Sequence, residues 1–116
     1  PSVAQNYKDR HEAADWNYMM DYMKRIHPDY YKEALCFFEN GLYSPCNMFI
    51  MRKKVLDKLC SWLFPILFIC AEHGGEKPDP YQNRYPGFLS ERLITLFFEK
   101  NRDDYKVVYA DKNFLP

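Results

Sequence analysis

The stretch that decides the fold is KKVLDKLCSWLFPILFICAE, Lys53 to Glu72. Its centre, Leu59 to Ala71, is apolar apart from Ser61 and Pro65. A spanning helix needs about 20 consecutive apolar residues, so this run predicts a buried core helix and not a membrane anchor. Pro65 lacks a backbone donor and crowds the preceding turn, which predicts a kink or break near Ser61. Gly74-Gly75 then terminates the helix.

Working outward, residues 11 to 26 read as an amphipathic helix. Trp16, Met19, Met20, Met23 and Ile26 recur at helical spacing, with Asn17, Asp21, Lys24 and Arg25 on the other face. His27-Pro28 separates it from a second helix, which carries Tyr31, Leu35 and Phe38 on one face and stops at Asn40-Gly41. Tyr43 to Met51 lacks a helical start and reads as a short buried strand or extended segment. Beyond the central helix, Glu76 to Gly87 is a polar loop stiffened by Pro78, Pro80 and Pro86. A further helix follows from Phe88 to Lys100, with Leu89, Leu93, Leu96 and Phe97 as its stripe. Tyr105 to Ala110 has the β-branched and aromatic composition of a second strand. The expected fold is mainly α with two short strands, an α+β domain around a four-helix core.

The chain has 116 residues, enough for a single domain over residues 1–116. Its 16 basic and 16 acidic residues cancel, which argues against a general nucleic-acid binder and against a polybasic membrane-surface protein. At 47% hydrophobic residues it is too apolar for intrinsic disorder. Cys36, Cys46, Cys60 and Cys70 form no C-x-x-C pair, and no His completes a usual zinc spacing. Three lie in apolar runs, which suits reduced thiols in a cytosolic setting. A secreted framework of two disulfides is the alternative. Pro1 to Arg10 is polar and has no signal-peptide core, and the start without Met suggests a piece of something longer.

No nucleophile elbow, phosphate-binding loop or zinc-protease motif is present. Three polar groups in unusual company remain. His11 and Asp15 stand at i, i+4, where a carboxylate can orient an imidazole, or both can hold a metal or a sugar hydroxyl. They equally describe a solvated helix start. Glu91-Arg92 interrupts the apolar run from Phe88 to Phe98, either as a snorkelling surface pair or as a carboxylate aimed into a cleft with a basic partner. The loop Asp79-Pro80-Tyr81-Gln82-Asn83-Arg84-Tyr85 sets aromatic rings beside hydroxyl-binding side chains. That suits carbohydrate, and it also suits an ordinary Pro-rich loop.

Three ordered blocks carry a resemblance: Cys46-Asn47-Met48-Phe49-Ile50-Met51, Cys60 to Leu67, and Gly87-Phe88-Leu89-Ser90-Glu91-Arg92-Leu93. Together with His11, Asp15 and His27-Pro28-Asp29-Tyr30, and with Val107-Val108-Tyr109 at the end, they resemble the C-terminal half of a bacterial glycosyltransferase-like family. That family belongs to capsular and exopolysaccharide synthesis clusters and has long been catalogued as a domain of unknown function. The resemblance implies the C-terminal portion of a glycosyltransferase-A-like domain, a fragment that transfers no sugar alone. The donor-binding α/β half and a D-x-D motif have no counterpart here.

The full-length family would take a nucleotide-sugar donor, with a divalent metal, and pass the sugar to a glycan acceptor. The resemblance makes Glu91 the base that deprotonates the acceptor hydroxyl and Arg92 the group that stabilises donor phosphate. His11 and Asp15 match the family's ordered His and Asp with no role assigned, and Asn47 would bond sugar or cap backbone. With Asp79, Tyr81 and Arg84 of the loop they form the candidate substrate-binding set, and no cofactor or metal is expected in this chain itself. Its partners would be a carbohydrate acceptor and a second copy in a two-fold dimer, without nucleic acid and without a membrane span. Its place would be the cytoplasm, including the periphery of the inner membrane. A non-catalytic helical module for protein–protein interaction is the alternative function.

Overall fold

The computed structural model describes residues 2–40 and 49–108. These described residues form five α-helices: α1 (Val3–Arg10), α2 (Ala13–Ile26), α3 (Pro28–Asn40), α4 (Lys53–Gly74) and α5 (Tyr85–Lys100). A single 3-10 turn, Gln82–Arg84, leads into α5.

The expected α+β architecture is therefore corrected to an all-helical one, because no strand occurs among the described residues. With it goes the expectation of a glycosyltransferase-A-like portion, and the four-helix core gains a fifth member. Residues 49–51 and 105–108 have no regular structure, while the rest of both expected strands, Asn47 included, lies outside the described residues. The physical reason is partnership. β-branched composition favours a strand only where a neighbouring strand completes the ladder, and Val107 and Val108 stay exposed with none beside them.

α1 was hidden by its polarity. Only Val3, Ala4 and Tyr7 bury themselves, at the spacing of one helix face. Ser2 caps it: the Gln5 backbone N–H donates to Ser2 Oγ at 3.1 Å. Ser2-x-x-Gln5 is the sequence pattern of a capping box, the one local signal that marks this helix start.

α2 buries Asp15, Trp16, Met19 and Met23, so most of the methionine stripe is core, although Ile26 turns out to solvent. α3 begins on Pro28 and buries Ala34 and Phe38, leaving Leu35 half exposed.

α4 runs unbroken through Pro65. Ser61 and Pro65 both lie on the exposed face, where water can satisfy the carbonyl that proline leaves without a donor. Leu59, Trp62, Leu63, Ile66, Leu67 and Cys70 fill the opposite face. Gly75 ends the helix at φ 64°, a left-handed backbone that favours glycine, with its N–H donating to Ala71 O at 2.9 Å.

α5 starts three residues earlier than its apolar stripe suggests, since Pro86 fits a first turn whose N–H groups need no helical partner. It packs on α4 and α3, with Leu89, Leu93 and Leu96 fully buried; α1 packs on α2 and α3, and α2 packs on α3 and α4. Cys36, Cys60 and Cys70 are free thiols. Burial pushes the Cys70 thiol up to about 12, helped by the nearby Asp15 charge, so it stays protonated and packs as an apolar group.

Candidate functional site

The chain reverses twice at one end of the bundle, and the polar residues gather there. α1 and α2 are separated only by His11 and Glu12, and the loop of residues 75–84 closes over that corner. Asp15, in the first turn of α2, is 5% exposed. Its charge is met by Lys77 Nζ, 3.2 Å from Oδ2, and the same ammonium donates to Glu12 Oε2 at 2.8 Å. Lys77 also lies 4.8 Å from the centre of the Tyr85 ring. The Glu12 and Asp15 carboxylates hold its ammonium above the ordinary lysine value, against the opposing effect of burial. Tyr85 Oη, in turn, sits 2.7 Å from Gly75 O and 3.0 Å from Ala71 O, satisfying the carbonyl end of α4.

The loop itself is built from short-range bonds. Lys77 N–H donates to Asn83 Oδ1 at 2.8 Å, and Gln82 N–H donates to Asp79 Oδ2 at 3.2 Å. Asp79 thus caps the 3-10 turn while remaining exposed. Gln82 reaches across to α1: its Nε2 donates to Arg10 O at 3.0 Å, which turns Oε1 toward His11 Nδ1, also at 3.0 Å. That orientation assigns the proton to Nδ1.

His11 then stacks on Phe88 with ring centres 4.1 Å apart. Tyr81 approaches Phe88 at 5.1 Å and His11 at 6.1 Å, and the Arg84 guanidinium stands 5.7 Å over Phe88. Tyr81 is 53% exposed. The outcome is a ledge of aromatic faces edged by His11, Gln82, Arg84 and Asp79.

Asp15 and His11 share no helix face. His11 is an extended residue between two helices (φ −139°, ψ 178°) and turns to Gln82, while Asp15 turns to Lys77.

Arg92 lies beneath the ledge and is 1% exposed. Its Nη1 donates to Phe88 O at 2.8 Å and its Nη2 to Asn6 Oδ1 at 2.9 Å, with the guanidinium 5.0 Å over the Tyr7 ring. It thereby ties α5 to α1. Glu91 is half-buried and stands three residues past Phe88, one helical turn along the same side of α5. Tyr7 Oη is buried without a hydrogen-bond partner, and burial together with the Asp15 charge keeps it protonated. Asn47 lies outside the described residues.

The structure therefore brings His11, Tyr81 and Arg84 together around Phe88, gives Asp79 a capping position in the same loop, and sets Asp15 and Arg92 behind them. Lys77, Glu12 and Asn6, which no sequence pattern marks, complete the corner together with Gln82 of the candidate loop. Their contacts span 62 to 86 positions, apart from those within the loop, and no local pattern encodes such pairing. Among the described residues no group of three His, Cys, Asp or Glu side chains is placed to hold a metal ion.

Fold and site together define an all-helical domain with a polar, aromatic corner where its first and last helices meet. A family model described as "Domain of unknown function (DUF4422)" matches residues 1–102, and the chain belongs to that family. No curated protein and no solved structure matches it.

Two outcomes follow from this geometry. A Cβ on Gly74 would stand 2.6 Å from Tyr85 Oη and 2.9 Å from Asp15 Oδ1. Gly74→Ala should therefore destabilise by about 1–3 kcal/mol in urea unfolding, although alanine favours helix by about 1 kcal/mol. A neutral or stabilising effect would mean that this corner is not close-packed.

Burial, with Arg92 and Arg10 nearby, lowers the His11 pKa below 6.5 against the opposing Gln82 bond, and burial lowers that of His27 as well. Proton uptake then favours the unfolded chain. The stability is complete above pH 6.5 and is lost as the pH falls through the lowered folded value. Melting temperature should drop between about pH 7 and pH 5, with a shallower slope in His11→Gln, where only His27 remains. An unchanged slope in that variant would contradict the assignment.

Proposed function

We propose that this chain is the helical, acceptor-side part of a glycosyltransferase that builds capsular or exopolysaccharide in the cytoplasm, using a nucleotide-sugar donor bound elsewhere in the parent protein. The observation that carries this reading is the ledge. Tyr81 offers a half-exposed ring, Phe88 and His11 back it, and the exposed Asp79 and Arg84 supply an acceptor and donors at its rim.

Such a surface matches the two faces of a sugar. The apolar C–H face lies against an aromatic ring, and equatorial hydroxyls meet planar polar groups. In this reading Glu91, one turn beyond Phe88, is the carboxylate that accepts the acceptor's hydroxyl proton. Arg92 acts from below, as the positioning group that holds α5 against α1. The resemblance of the Gly87–Leu93 block to capsule-cluster glycosyltransferases supports the same substrate class. The family's own description assigns no activity.

The test is a titration of the chain with glucose-, galactose- and mannose-containing oligosaccharides, followed by amide and aromatic chemical shifts. Binding should move the Tyr81, His11 and Arg84 signals. Tyr81→Ala should weaken it about tenfold, equivalent to about 1.4 kcal/mol, without lowering the melting temperature. Shifts confined to another surface, or none with any of these sugars, would overturn the reading.

A further inference from the structure

The outward face of α4 carries an arrangement that neither the ledge nor the family explains. Leu59, Trp62, Leu63, Ile66, Leu67 and Cys70 lock one side of this helix into the core, so the other side cannot rotate inward. On that outer side Lys54, Lys58, Ser61, Pro65 and Phe68 follow one another at intervals of three or four residues, forming a single exposed stripe. Phe68 is 67% exposed and Phe64 44%, and their rings stack 5.8 Å apart instead of turning into the protein. Just before the helix, Ile50 is 104% exposed and Phe49 47%. Between these apolar residues stand Arg52, Lys53, Lys54 and Lys58, all exposed, with Asp57 the one acid from 52 to 58 and already paired to Lys53 at 3.3 Å.

The neutral whole-chain charge hides this local surplus. From Arg52 to Phe68 the face extends about 24 Å at 1.5 Å per residue, with cations toward one end and aromatic rings toward the other. We propose that the outer face of α4 docks on an anionic lipid surface. The Phe64 and Phe68 rings enter the boundary between headgroups and acyl chains, and Arg52, Lys54 and Lys58 pair with lipid phosphates.

Charge complementarity selects this occupant. Lysine is depleted at the centres of protein–protein interfaces, whereas lysine stems beside exposed aromatic residues are the pattern of a helix lying in a bilayer interface. The helix lies on the surface and does not cross it, since no helix among the described residues is long and apolar enough to span. Docking there goes beyond the proposed sugar ledge and does not depend on it.

Flotation of the chain with vesicles tests the proposal. Vesicles of phosphatidylcholine with about one-third phosphatidylglycerol should carry the protein, and pure phosphatidylcholine vesicles should not. Raising the salt to about 0.5 M should release it. The double substitution Lys54→Glu, Lys58→Glu should weaken binding by about 30-fold or more, from roughly a factor of five per basic residue near the surface. Phe68→Ser should weaken it without changing the circular dichroism spectrum or melting temperature, because the ring supports no core contact. Equal binding to neutral vesicles, retention in the charge-reversed variant, or no binding to either vesicle would overturn the proposal. So would sedimentation showing a dimer that Phe68→Ser dissociates while flotation stays unchanged.

Discussion

A carboxylate removed from water must be met by a cation or it will not stay charged, and in this molecule that demand falls on Asp15. Its partner, Lys77, comes from a loop 62 positions away. Pairing the two draws the whole 75–84 connection onto the junction of α1 and α2. Tyr85 then caps the end of α4, Gln82 bridges to α1, and Tyr81 and Arg84 come to lie over Phe88. A buried ion pair of this kind adds little net stability, since the desolvation of both charges offsets their attraction. What it contributes here is placement. A loop with two prolines, Pro78 and Pro80, followed by Pro86 in the first turn of α5, has few conformations to choose from, and the pair selects the one that seals the corner.

Arg92 performs a related task one layer deeper. A guanidinium at 1% exposure is tolerated because its donors meet Phe88 O and Asn6 Oδ1 and its face meets Tyr7. It ties the last helix to the first. With Lys77 it makes the ledge a product of long-range electrostatics acting on a helical scaffold, so the rings of His11, Tyr81 and Phe88 occupy fixed positions.

The helices were legible where apolar residues recur at helical spacing: α2, α3, α4 and most of α5 can be read from their stripes. α1 was not, because three buried residues in a polar octapeptide give almost no periodic signal, and only the Ser2–Gln5 cap betrays it. The strands were misread for a different reason. Composition at Tyr105–Val108 reports what a residue packs well against, and nothing there supplies a partner strand. In the site, proximity in sequence misled at His11–Asp15, where the i, i+4 spacing implies one continuous helix while the chain breaks between Arg10 and Ala13. Tyr81 and Arg84 were legible as a group because the loop keeps them close. Lys77 and Asn6 were not, and neither was the reach of Gln82 to α1, since these partners are set by tertiary packing alone.

The most direct measurement is a double-mutant cycle on Asp15→Asn and Lys77→Met, read by urea unfolding. If the pair places the loop, the two substitutions should couple by about 1–3 kcal/mol, and either one should move the His11 and Tyr81 ring signals on the far side of the corner. Additive effects within about 0.5 kcal/mol, with those rings undisturbed, would show that the loop is held by its own turns and that the buried pair does not organise this end of the protein.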